Sequence, residues 1–168
     1  MAAITPATSD AARVRIEITD PRDPDARRCL RSYFEELAAR FESGFDPELS
    51  ISASDEEMTL PHGLLLVAHD GQTPVGCGAL KLHTGSDVAE VKRMWVSDAA
   101  RGLGLGGRLL ARLEDEGIAR GVRTLRLETN RALTEARRLY ESAGFVEVTA
   151  FNDEAYAHHW YEKHLQRD

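Results

Sequence analysis

Apolar and polar residues alternate in short runs along this chain, and three longer stretches instead repeat their apolar positions every three or four residues. Val14, Ile16 and Ile18 alternate with Arg15 and Glu17, the period-two pattern of a half-buried strand. Asp20-Pro21 and Asp23-Pro24 break that run and open a helix, in which Ala26, Cys29, Leu30, Tyr33, Phe34, Leu37, Ala38 and Phe41 share one core-facing side until Gly44. Residues 45–62 are polar and acidic, with one short helix expected near Asp55–Leu60. Leu64–Ala68 and Val75–Leu82 read as strands joined through Asp70-Gly71, and Thr84–Asp87 turns the chain into a strand over 88–96. Leu105, Leu109, Leu110, Leu113 and Ile118 give a second helix its buried side, and Gly121 stops it. Leu125 and Leu127 mark another strand; Ala136, Leu139, Tyr140 and Ala143 mark a third helix closed by Gly144. Phe145–Thr149 and His158–Leu165 supply the last strands. The pattern predicts an α/β fold with a mixed, mostly antiparallel central sheet flanked by helices.

Composition narrows the class. With 168 residues the chain suits one domain, expected over 13–168 behind a short disordered tail at 1–12. A net charge of −7 without a basic stripe argues against nucleic acid as a partner. No segment has the apolar length of a membrane span, and the first ten residues lack the basic and apolar regions of a signal peptide, so a cytoplasmic protein is expected. Cys29 and Cys77 read as buried free thiols, with no disulfide framework and no zinc spacing.

The chemistry concentrates in residues 90–108. A strand ending at Met94-Trp95-Val96 runs into a loop with Arg101, then Gly102, Gly104, Gly106 and Gly107, then a helix. A helix N-terminus presents unpaired N–H groups and a positive dipole end, glycines admit a ligand close to the backbone, and arginine adds a fixed charge. That combination suits a pyrophosphate. Gly102-x-Gly104-x-x-Gly107 formally meets the dinucleotide fingerprint, with Glu128 about twenty residues on. Its context does not: a loop separates strand from glycines, and 61 residues after Gly107 cannot supply a doubly wound sheet. A Walker-type loop is excluded because Arg108-Leu109 stands where Lys-Ser/Thr is needed.

Parsed as Arg101-x-x-Gly104-x-Gly106, the loop resembles the pyrophosphate-binding motif of the GNAT family of N-acetyltransferases. Two further segments carry the resemblance: Leu125–Asn130, a strand ending in Asn, and Ala136-x-x-Leu139-Tyr140-x-x-x-Gly144-Phe145. It covers about residues 64–165. The resemblance implies a GNAT-like fold and acetyl-CoA as co-substrate, held by Arg101, Gly102, Leu103, Gly104, Leu105 and Gly106. It also implies that backbone groups of Met94, Trp95 and Val96 bond the pantetheine arm and that Asn130 contacts it, where the residues alone offer a cap of the following turn as the alternative. The activity it implies is direct acetyl transfer to a primary amine of a small molecule, with no metal. A protein N-terminus or lysine is the second acceptor class, and a non-catalytic acyl-CoA sensor is the alternative from a different class.

Tyr140 is the candidate general acid for the departing thiolate. On its apolar stripe alone it reads as core, and the family motif is what gives it the catalytic role. Glu90 is the candidate base, or else an ion-pair partner of Lys92 on a solvated face. Period two places Glu90, Lys92 and Met94 on one face and Val91, Arg93 and Trp95 on the other. Arg93 is the candidate substrate-binding residue, suited to forking onto a carboxylate of an amino-acid-like acceptor, with a structural role as its alternative. Arg137 and Arg138 read as helix decoration. His158 and His159 point to opposite faces of a strand and do not suit one metal ion. No cysteine stands where a nucleophile is needed. The sequence leaves acceptor identity, acyl-chain length and a homodimer open.

Overall fold

In a computed structural model, which describes residues 13–51 and 53–166, the expected elements come together around one sheet. The expected tail at 1–12 lies outside the described residues. In chain order the strands are β1 (Val14–Ile18), β2 (Gly63–Asp70), β3 (Thr73–Leu82), β4 (Val88–Val96), β5 (Thr124–Thr129), β6 (Val146–Val148) and β7 (His159–His164). The helices are α1 (Pro24–Arg40), α2 (Leu105–Ala119) and α3 (Thr134–Ser142). The sheet runs β1-β2-β3-β4-β5-β7-β6, and every pairing is antiparallel except β4 with β5.

Local chemistry sets the element ends. The Asp23 carboxylate accepts the Asp25 amide at 2.9 Å and Pro24 takes the first turn, so α1 starts where its cap permits. It ends at Arg40, short of the Gly44 stop, because Phe41 is extended. Segment 45–62 holds two short 3-10 turns, Pro47–Leu49 and Glu56–Met58, the second falling within the short helix expected there.

Alternation along the strands splits the core in two. Leu64, Leu66, Leu80, Val91, Leu125, Leu127 and Tyr161 pack under Leu105, Leu109, Leu110 and Leu113 of α2 and Tyr140 of α3. Leu65, Val67, Cys77 and Ala79 point the other way, against Ala26, Cys29 and Leu30 of α1 and Met58. Tyr33 and Phe34, expected in the α1 core stripe, stay half-buried beside Arg93. Among the described residues no helix is long and apolar enough to cross a membrane.

The 45–62 segment is locked to the sheet at Gly63. A Cβ there would lie 1.9 Å from the Glu57 carbonyl oxygen and 2.4 Å from that of Leu80, both backbone atoms with nowhere to move. Gly63→Ala is expected to destabilise the fold by about 3 kcal/mol. A urea midpoint unchanged from the parent would contradict this packing.

Candidate active site

The sheet opens at its middle. β4 and β5 pair only at Val88–Thr124, Ala89–Leu125 and Glu90–Arg126, then part. Beyond Glu90 the β5-facing edge of β4 has no strand partner, and Met94, Trp95 and Val96 line the cleft that follows. This cavity, of about 320 Å³, continues past Arg101, Gly102, Gly104, Leu105 and Gly106. Leu103 stands in the loop without lining it.

The loop fits an anion. Gly102 (φ +82°) and Gly104 (φ +75°) take left-handed backbone angles that side chains resist. Gly104 caps α2 without any side-chain hydrogen bond, and the first turn has no acidic residue. The first N–H groups and the dipole of α2 are therefore uncompensated where they meet the cavity. Gly106 faces α3 closely: a Cβ there would sit 3.0 Å from Leu139 Cδ2. Arg101 pairs with Asp98 at 2.8 Å and with Glu36 of α1. Arg40 bonds Glu135 of α3 at 3.0 Å, so ion pairs link α1 to both walls of the cavity.

Tyr140 stands at the inner end, lining this cavity and a second, smaller chamber of about 90 Å³. Its ring packs on Phe145 and Tyr161 at 5.9 and 6.3 Å, and its hydroxyl has no hydrogen-bond partner among the described residues. Burial pushes the phenol well above its ordinary range and keeps it protonated. The ring of Tyr140 belongs to the core, as its apolar stripe predicts, and the same residue lines the cleft.

The smaller chamber gathers Lys92, Arg93, Glu128 and Asn130 under Tyr33, Phe41, Phe45 and Tyr156. Lys92 Nζ donates to Glu128 Oε1 at 2.6 Å, and both side chains are only 7% exposed. The other oxygen, Glu128 Oε2, is buried with no hydrogen-bond partner. Glu90 does not line the chamber. Its carboxylate bonds His83 at 2.8 Å and approaches Lys92 at 3.9 Å, the ion-pair arrangement.

Arg93 departs from the expected alternation. It takes φ +58°, and the β3–β4 register shifts between Cys77 and Ala79. This bulge adds a residue to β4 and turns Arg93 to the α1 side, where its guanidinium lies over the rings of Phe34 and Tyr33 at 4.8 and 5.6 Å. Met94 instead packs with Val91 against the α2 core, and Trp95 against the α1 core. The predicted faces therefore hold only as far as Lys92.

Asn130 is committed to the backbone. It donates to the Tyr156 carbonyl at 2.7 Å and accepts the Ala132 amide at 2.9 Å, fixing two loops at the chamber rather than lining the larger cavity. Arg137 ties α3 to the Tyr161 hydroxyl at 3.2 Å. Cys77 Sγ donates to the Arg93 carbonyl at 3.1 Å; its hydrogen bond with Cys29, then burial, pushes the thiol well up, away from nucleophilic use. His159 bonds Glu147 and His158 accepts the Arg131 amide, and no metal-ligating cluster occurs among the described residues.

Comparison with known proteins bears on the family and the fold. The model of the acetyltransferase (GNAT) family matches residues 27–145. The IAA acetyltransferase of Azospirillum brasilense is 34% identical over 134 residues, 80% of this chain and 88% of that protein. A GNAT-family acetyltransferase from Staphylococcus aureus Mu50 superposes with TM-score 0.75 at 18% identity, over 91% of this chain and 99% of that one. N-acetylglutamate synthase from Neisseria gonorrhoeae, solved with coenzyme A and N-acetyl-glutamate, gives 0.68 at 17% identity, over 91% of this chain and 36% of that one. At such identities the two structures bear on the fold alone.

Proposed function

Because this chain belongs to the GNAT family of acyl-CoA-dependent N-acetyltransferases, we propose that it transfers acetyl from acetyl-CoA directly to a primary amine of a small molecule. One observation carries the reading: a single cleft joins an uncapped, glycine-lined helix start to Tyr140, a buried residue on the cleft wall. The first suits the pyrophosphate of the co-substrate, with Arg101 beside it. The parted edge of β4 at Met94–Val96 suits the pantetheine amides. The thioester, when bound, supplies the electrophilic carbonyl and the leaving sulfur. The name of the Azospirillum relative supports a small-molecule acceptor.

The protein's own groups then need do little. An alkyl ammonium has a pKa of about 10.4 and must lose a proton before its nitrogen can attack. Glu128 Oε2, buried and unpartnered beside the cleft, is assigned that proton in place of Glu90. As the C–N bond forms and the C–S bond breaks, Tyr140 protonates the departing sulfur. The second proton from nitrogen returns to the phenolate or to solvent, so one proton is released in all.

The test is thiol release from acetyl-CoA across amino acids, polyamines, aminoglycosides and short peptides. Release is expected with one small-molecule class. Tight acetyl-CoA binding with no release for any amine would overturn the reading in favour of an acyl-CoA sensor.

A further inference from the structure

The small chamber holds a guanidinium without a carboxylate partner and a carboxylate oxygen without a donor. Arg93 is 8% exposed and has no carboxylate within ion-pair distance among the described residues. Among the described residues it makes a long hydrogen bond, 3.4 Å from Nη2 to the Ala53 carbonyl, and a side-chain hydrogen bond to Tyr33, and its guanidinium lies over the faces of Phe34 and Tyr33. A guanidinium has five donors in a planar fork, so donors remain beyond these two and no carboxylate meets them. Its backbone also sits in a left-handed conformation that a branched-free, non-glycine residue adopts at a cost. Glu128 Oε2 is the matching acceptor without a donor. Both residues line the same chamber.

The remaining charges there are settled. Lys92 is neutralised by Glu128 Oε1. Glu154, also on the chamber wall, accepts from Ser50 Oγ at 2.9 Å, the Ile51 amide at 2.7 Å and the Tyr156 amide at 3.4 Å, so its oxygens serve the loop. Two cations, Lys92 and Arg93, face two anions, Glu128 and Glu154, and the lining is neutral overall. A ligand that answers both open groups without upsetting that balance carries one anion and one cation of its own.

We propose that the acceptor is a free amino acid, bound as its zwitterion, with its carboxylate on Arg93 and its ammonium at Glu128 Oε2. The rest of the wall names the side chain. Phe45 packs on Tyr156 at 4.8 Å and Phe41 stacks on Tyr156 at 5.6 Å, an aromatic surface that favours an apolar side chain. The same arrangement selects against peptide N-termini, whose α-carboxyl is tied up in an amide and has no charge for Arg93. The chamber's volume of about 90 Å³ agrees with an acceptor of this size. The inference rests on the acetyltransferase reading and adds to it which amine is taken.

The experiment compares each apolar amino acid with its own carboxamide in the thiol-release assay, and measures binding of the same pairs by the shift in Tm that each ligand produces. The acid is expected to exceed its amide at least tenfold in kcat/KM, the effect of one charge-assisted, forked contact. The acid alone is expected to raise Tm. In Arg93→Gln the preference for acid over amide falls to near unity, and Arg93→Lys keeps part of it. The acid–amide comparison on the unaltered protein stands even if neither variant folds. Amides accepted as well as acids would overturn the inference and leave the acetyltransferase reading standing. No release with any amine would remove both.

Discussion

Tyr140→Phe is expected to lower turnover by about a hundredfold while the Kd for acetyl-CoA stays within about twofold. The substitution removes one oxygen and little else. The Tyr140 ring keeps its edge contact with Phe145 and its tilted contact with Tyr161, so the core retains its shape. The lost hydroxyl bonds nothing among the described residues and faces the junction of both cavities. No structural bond is broken, and the effect belongs to the step in which sulfur departs. Because burial raises the pKa of this phenol, it is protonated throughout the physiological range, and its loss is felt at every pH in that range. Single-turnover acetyl transfer, measured beside equilibrium binding of acetyl-CoA, separates the two quantities. Turnover equal to the parent would remove Tyr140 from the chemistry and return it to the core.

Most of the fold was legible because hydrophobic period reports which side of an element is buried. The seven strands and three α-helices of the described residues fall where alternation or helical spacing placed them, within two or three residues. The glycine loop was legible because glycines at left-handed positions and an uncapped helix start leave a mark in the sequence. The acceptor side was not, for two physical reasons. The first is the bulge at Arg93, a non-glycine residue with positive φ that breaks a period-two reading at the centre of the site. A signal for it lies in the neighbouring strand: Gly78 leaves room for Met94, whose sulfur would stand 2.6 Å from a Cβ there. Glycine inside a strand often marks such a place. The second is register. Alternation along β5 sets Glu128 opposite Leu127 in direction, but its meeting with Lys92 depends on the parallel pairing of Glu90 with Arg126, which one sequence cannot specify.

That register separates two carboxylates, Glu90 and Glu128, and mutation separates their roles. Glu128→Gln is expected to lower kcat/KM by about a hundredfold; Glu90→Gln leaves it within about twofold of the parent. A simpler cause competes for Glu128: its Oε1 holds Lys92, and a glutamine would leave that ammonium buried with only Glu90, 3.9 Å away. The double variant Lys92→Met, Glu128→Gln decides between them. If Glu128 serves only to balance Lys92, removing both charges together restores activity, because the stranded cation is gone. If Oε2 takes the proton, the double variant stays as slow as Glu128→Gln alone, since neither residue left can act as a base. The second result is expected, because Oε2 is the oxygen that Lys92 does not use.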